Sequence, residues 1–148
     1  MKDMEIEISI LNSLAKLPTY GSAAAAGADL YAATDYDIEI NPGQTVKIGT
    51  GIAVAIPEGN FGAIFARSGL ATKQGLRPAN CVGVVDADYR GEVIVALHND
   101  SDEVQMIPAH SRVAQLVIMP FVRADFTIVD NLNKTERGDK GFGSTGNK

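Results

Sequence analysis

Apolar side chains recur at every second position over much of the chain. Ile6, Ile8 and Ile10 alternate with polar residues, and Tyr36, Ile38 and Ile40 do the same before the Asn41-Pro42-Gly43 turn. Val46, Ile48, Ile52, Val54 and Ile56 keep even spacing up to Pro57 and the Glu58-Gly59-Asn60 turn. A period of two puts such side chains on one face of an extended strand. Further β-rich runs cover Gly62 to Ala66, Val82 to Val85, Glu92 to Asn99, Arg112 to Met119 and Phe126 to Val129. Short strands punctuated by Gly, Pro and Asn predict one all-β domain, a sandwich or barrel. Helical signal is confined to Ser68 to Gln74, with Ser68 as a candidate cap and Gly75 as the stop. Ser22 to Ala26 is alanine-rich but short and bounded by glycine.

The chain has 148 residues, 45% of them hydrophobic and 21% charged, which suffices for one domain with its own core. A net charge of −5 argues against broad binding to nucleic-acid polymers or anionic membranes. It does not argue against a nucleotide whose phosphates are neutralised by a divalent metal and a few arginines. Cys81 is the only cysteine, so the chain makes no internal disulfide or cysteine-based zinc cluster and suits a reducing compartment. Met1-Lys2-Asp3-Met4-Glu5 lacks the apolar block of a signal peptide. No apolar run approaches the roughly 20 residues of a membrane span. The expectation is a soluble, cytoplasmic protein. His98 and His110 have no partners at zinc spacing and read as ordinary surface or strand residues.

Four segments place polar side chains where strands run into glycine turns. Gly27-Ala28-Asp29-Leu30 sets a carboxylate beside flexible backbone. Arg67-Ser68-Gly69-Leu70-Ala71 offers a guanidinium, a hydroxyl and free amides at a helix start, which together suit a phosphate. The block from Gly83 to Gly91 packs Asp86, Asp88 and Tyr89 between strands, and Arg112-Val113-Ala114-Gln115 puts polar groups in an apolar strand. Taken singly, Asp86 and Asp88 read equally well as hairpin-turn residues, Gln115 as a solvent-facing strand residue and Asp29 as a turn cap. From Lys134 onward the sequence is polar and glycine-rich with one large apolar residue, Phe142, and taken alone reads as a frayed terminus. The G-x-G-x-x-G match at Gly141 to Gly146 has no room for the helix that pattern needs, and Arg137-Gly138-Asp139 lacks any sign of export.

In this order, and with the tail, these segments resemble the five sequence motifs of the trimeric dUTP pyrophosphatase (dUTPase) family. The matching pieces are Ala26 to Leu30, Ala66 to Ala71, Gly83 to Gly91, Arg112 to Leu116, and Arg137-Gly138 with Gly141 to Gly146. They span nearly the whole chain. One departure is Lys140, where members often carry glycine before the Gly-Phe-Gly of the tail.

The resemblance implies a distorted β jelly roll with one short helix, assembled as a homotrimer, with a core over residues 1–133 and a flexible arm over 134–148. Each of three active sites would take the first, second and fourth motifs from one chain, the third from a neighbour and the tail from the remaining chain. The implied reaction is hydrolysis of dUTP to dUMP and pyrophosphate, with Mg2+ as cofactor, by water attack on the α-phosphorus. That lowers dUTP and supplies dUMP for dTMP synthesis. Asp86 matches the general base and Gln115 the residue that helps hold the water. Asp29 matches the carboxylate that holds magnesium through water. Arg67, Ser68 and Gly69 match phosphate contacts, as do Arg137, Gly143, Ser144 and Thr145 in the arm. Asn80, with hairpin backbone near Val85, matches the reader of the uracil edge. Tyr89 matches the aromatic under the deoxyribose and Phe142 the ring that stacks on the base, while Asp88 reads as structural, pairing across the trimer.

The dCTP deaminases, and deaminases that also hydrolyse the triphosphate, resemble this family and share its fold but carry a catalytic glutamate on the strand after the third motif. Here that strand reads Val93-Ile94-Val95-Ala96-Leu97-His98, with Ala96 near the expected register. A non-enzymatic jelly roll would explain the strands but neither the Asp86–Tyr89 block nor Phe142. A serine nucleophile at Ser68 lacks a base and orienter. The sequence is silent on a regulatory protein partner.

Overall fold

The computed structural model describes residues 4–141. In chain order the elements are β1 (Glu7–Ile10), β2 (Thr19–Tyr20), β3 (Ala28–Tyr31), β4 (Ile38–Ile40), β5 (Thr45–Gly49), β6 (Ile52–Ala55), β7 (Asn60–Phe65), α1 (Ser68–Gln74), β8 (Leu76–Pro78), β9 (Gly83–Val85), β10 (Ile94–Asn99), β11 (Gln105–Ile107) and β12 (Arg112–Pro120). A five-stranded sheet runs β2-β3-β12-β7-β9, and a three-stranded sheet runs β5-β10-β8. β1 pairs with β6 and β4 with β11, every ladder being antiparallel. The architecture is a jelly roll whose ladders remain separate and close no barrel among the described residues.

Alternation determines which faces meet. Ile38 and Ile40 of β4 turn inward while Glu39 faces out; Val95, Leu97 and Asn99 of β10 turn inward while Ile94 faces out. With Leu30, Ile48, Ile52, Leu76, Ile107 and Val113 they form one core. Asn99 is a fully buried polar residue, and its amide is satisfied on every side. Its nitrogen donates to the carbonyls of Ile40 (2.9 Å) and Glu103 (2.8 Å), and its oxygen accepts from the Ser101 amide (2.9 Å) and hydroxyl (2.7 Å). An unpaired amide there would cost on the order of 1–3 kcal/mol. Paired, it joins β4 to the β10–β11 turn.

Three expectations are corrected. The even-spaced run from Val46 to Ile56 is two strands, because Thr50 and Gly51 form a bend where the chain leaves β10 to pair with β1. Gly51 sits at φ 67° with Asn12 and Ala15 against it, leaving no space for a side chain. Ser68 is not the helix cap: Arg67 holds that position in extended backbone, with no side-chain capping bond, and the Ser68 hydroxyl is left exposed. Gly75 does stop the helix, at φ 66°, donating its amide to the Leu70 carbonyl.

Finally, Phe126 to Val129 is no strand. After Phe121, whose amide reaches the Gly59 carbonyl at 3.1 Å, no hydrogen bond returns to the body among the described residues. Phe126 is 92% and Ile128 99% exposed. A β-prone segment needs a neighbouring ladder and a covering face, and one chain offers this segment neither. No helix among the described residues is long and apolar enough to cross a membrane.

Candidate active site

β12 runs between β3 and β7, and Gln115 at its centre is the register partner of Asp29 on one side and Phe65 on the other. Just beyond Phe65 the chain turns into α1, and Arg67, at the cap of that helix, reaches the same place. Arg67 Nε donates to Asp29 Oδ1 at 2.8 Å, and Arg112 Nη1 lies 3.3 Å from Asp29 Oδ2. The Asp29 carboxylate is mostly buried beneath the two guanidiniums. Gln115 Nε2 donates to the Ala66 carbonyl at 2.9 Å, so its side chain is fixed, not solvated. Ser68 and Gly69 lie exposed at the start of α1.

Arg112 had no role assigned from sequence, because in a regular strand residues 112 and 115 point to opposite faces. The register against β3 shifts between Arg112 and Ala114, and that bulge brings Arg112 onto Asp29. Two guanidiniums and one carboxylate leave the cluster positive within a chain of net charge −5. Such a cluster suits a polyphosphate. A cavity of about 350 Å³ opens beside it, with Leu70, Met106 and His110 in its wall. Among the described residues no three His, Cys, Asp or Glu side chains converge as a metal cage. Asp29 has lone pairs left for metal-bound water, so the donor set fits a magnesium ion that arrives on phosphate oxygens.

A second concavity, about 190 Å³, lies at the other end of the sheet, lined by Asn80, Gly83, Asp86, Tyr89, Glu92 and Ile94. Asp86 follows the last residue of β9, and its carbonyl accepts the Tyr89 amide at 3.1 Å, closing a tight turn. Its carboxylate is exposed and takes no hydrogen bond among the described residues. The Tyr89 hydroxyl donates to the Glu92 carbonyl at 3.0 Å, and Glu92 Oε1 accepts the Gly51 amide at 2.8 Å. Gly83 keeps the floor low: a methyl there would press on Ile64. Val85 turns its side chain into the core, so it can offer a ligand only backbone. Asp88 is exposed.

Within one chain these two groups do not meet. Val85 pairs with Gly62, whereas Gln115 pairs with Phe65, on opposite edges of β7. Strand rise and spacing then put Asp86 and Gln115 roughly 16 Å apart. Arg137 is held in a local turn, with Nε donating to the Lys140 carbonyl at 2.9 Å, on a segment detached from either group. Phe142, Gly143, Ser144 and Thr145 lie outside the described residues. Ala96 sits half-buried on β10, its carbonyl accepting the Ala79 amide at 2.8 Å.

Residues 13–146 match the family model described as dUTPase. A deoxyuridine 5'-triphosphate nucleotidohydrolase of Desulfitobacterium hafniense is 46% identical, the match covering 99% of each chain. One of Syntrophotalea carbinolica is 44% identical over 99% of each. Among solved structures, a variant dUTPase of Staphylococcus bacteriophage 80alpha with dUpNHpp superposes with TM-score 0.87 at 28% identity, covering 96% of this chain and 98% of that one. A variant from phage phi11 of S. aureus, described for its coordination of a structural Mg(II) ion, matches at TM-score 0.75 and 25% identity, covering 86% and 98%.

Proposed function

The chain belongs to the dUTPase family and hydrolyses dUTP to dUMP and pyrophosphate; from that premise we propose that it does so in a homotrimer whose active sites are each completed by neighbouring chains. The observation that carries this reading is the separation of Asp86 from Gln115. Both have to be within hydrogen-bond reach of one attacking water, and roughly 16 Å within a chain forbids it. Two chains side by side remove the conflict, one supplying Asp29, Arg67, Ser68, Gly69 and Gln115, the other Asn80, Val85, Asp86 and Tyr89. The exposed apolar segment around Phe126 and Ile128 supports assembly, since a lone chain leaves it uncovered.

In the assembled site the Arg67 guanidinium neutralises phosphate oxygens, and the exposed Ser68 hydroxyl and Gly69 backbone donate to them. Asp29 keeps that guanidinium oriented and would hold, through water, a magnesium ion brought in by the triphosphate. The chemistry that magnesium would supply there is withdrawal of charge from the phosphate oxygens. Asp86 removes a proton from the water that attacks the α-phosphorus, and the Gln115 carboxamide helps hold that water. A carboxylate is a weak base at neutral pH, so its contribution rests on placement. Asn80 and hairpin backbone read the uracil edge; Tyr89 packs against the deoxyribose and excludes a 2′-hydroxyl. The arm over 134–148 closes from the third chain, with Phe142 on the base and Arg137, Gly143, Ser144 and Thr145 on the outer phosphates. A cytoplasmic location suits a chain whose one cysteine, Cys81, is free and exposed.

The test is pyrophosphate release from dUTP, dCTP, dTTP and UTP, each with magnesium and with chelator. Release from dUTP alone, lost on chelation, is expected. Comparable release from dTTP or UTP would overturn the base or sugar assignment, and release that survives chelation would overturn the metal.

A further inference from the structure

The loop that carries Asn80 is strained and braced from behind by one side chain. Between β8 and β9 the Cys81 amide donates to the Pro78 carbonyl at 2.9 Å, and the Val82 amide to the Asn80 carbonyl at 2.7 Å. This double turn forces Cys81 to φ 63°, a left-handed conformation that a residue with a Cβ adopts only when its surroundings impose it. Asn80 and Cys81 are exposed, so no packed core does the imposing.

Arg77 does. Its Nη1 points into the turn, 3.2 Å from the Pro78 carbonyl, 3.4 Å from the Ala79 carbonyl and 3.7 Å from Cys81 Sγ. Its other edge is clamped by Asp100, with Nε to Oδ2 at 2.6 Å and Nη2 to Oδ1 at 3.1 Å. Asp100 is itself anchored, its amide donating to the Gly75 carbonyl at 2.9 Å. The planar fork thus ties the inner carbonyls of the turn to the opposite end of β8. Lysine, with a single ammonium centre, cannot span both.

We propose that Arg77 is a positioning residue for base recognition, holding the Pro78–Val82 turn in the shape that aims Asn80 into the pocket. The proposal rests on the reading of Asn80 as the reader of the uracil edge. Asp100 touches no part of the turn and reaches it through Arg77, its Oδ1 lying also 3.5 Å from His98 Nε2. The hydrogen bond to Asp100 also holds the Arg77 guanidinium above its ordinary range.

Four variants of the full-length enzyme, Arg77→Ala, Arg77→Lys, Asp100→Ala and Asn80→Ala, are compared in steady-state hydrolysis of dUTP and dCTP, with oligomeric state checked by gel filtration. The expected result is a KM for dUTP raised by about tenfold in both Arg77 variants and in Asp100→Ala, with kcat within about twofold, because misplacement of the turn weakens binding and leaves the reacting groups alone. The preference for dUTP over dCTP falls in the same variants. Wild-type KM and preference in Arg77→Ala, beside a collapsed preference in Asn80→Ala, would overturn the brace and leave the base pocket standing. An unchanged preference in Asn80→Ala would overturn the base pocket itself. Full rescue by Arg77→Lys would show that charge, not the fork, is what matters, and would also overturn the brace.

Discussion

The Gln115 carboxamide lies against Gly27 so closely that a methyl group on Gly27 would overlap its oxygen. Gly27 precedes β3 directly, so the absence of a side chain there is what lets β12 bring Gln115 down beside Asp29. The carboxamide is caught between this glycine and the Ala66 carbonyl, which it contacts at 2.9 Å. Gly27→Ala is therefore expected to push Gln115 away from the place proposed for the attacking water. Overpacking of this kind costs on the order of 1–3 kcal/mol of stability. The larger effect is on turnover, a fall of roughly 10²-fold in kcat for an ångström-scale displacement. Steady-state rates beside a thermal melt check it; normal kcat would remove Gln115 from the water.

Asp86→Asn keeps the size and the backbone turn to Tyr89 while removing the proposed base. Turnover is expected to fall by about 10²–10⁴-fold, the usual contribution of a general base. Affinity for a non-hydrolysable dUTP analogue, measured by calorimetry with magnesium present, is expected to stay near wild type. An unchanged rate would take Asp86 out of the mechanism.

Much of this was readable from the sequence, for reasons visible in particular residues. Alternation revealed β1, β4, β5 and β6, β-rich runs revealed β7, β9, β10 and β12, and Gly75 marked the helix end because only a left-handed residue fits there. Short edges were less legible. β8 contains Arg77-Pro78 and β11 has three residues, too few for a period to register. Arg112 escaped because a bulge, invisible in composition, broke the alternation that would have placed it. Phe126 to Val129 misled in the opposite sense: the residues suit a strand, but pairing is a property of two segments and the chain alone supplies one. The division of the site between chains was legible only through the family resemblance, since periodicity counts no subunits.

Phe126 and Ile128 give that last point a direct test. A charged residue in place of Ile128, exposed in the lone chain, costs the monomer nothing and costs an assembly the burial of that side chain, about 1.5–3 kcal/mol per contact before the charge is desolvated. Ile128→Asp is expected to leave the melting curve of the body intact, weaken the trimer on gel filtration and make activity per chain fall on dilution. A trimer of undiminished stability would show that this segment lies outside the interface.

Removal of Arg137 to Lys148 leaves every strand and the core among the described residues in place. The truncated chain is expected to keep its oligomeric state and its magnesium-dependent nucleotide binding in weakened form, while losing most hydrolysis. Normal hydrolysis by the truncation would refute closure by the arm.

The composite site predicts that two inactive chains can repair each other. Arg67→Ala destroys the phosphate half and leaves Asp86; Asp86→Asn destroys the water half and leaves Arg67. If both halves of a site came from one chain, every mixture would remain inactive, whatever the assembly. If Arg67 comes from one chain and Asp86 from its neighbour around a ring, random co-assembly of equal amounts leaves each half intact with probability about one half. About one quarter of sites then carry both intact residues. Refolding the two variants together, against each refolded alone, is expected to restore roughly a quarter of wild-type activity per site. Restoration requires exchange of subunits, so mixing the folded variants without unfolding should restore it slowly, at the rate at which trimers come apart. A mixture that stays inactive after refolding, with mixed trimers shown by mass spectrometry, would return both halves to a single chain and overturn the shared site.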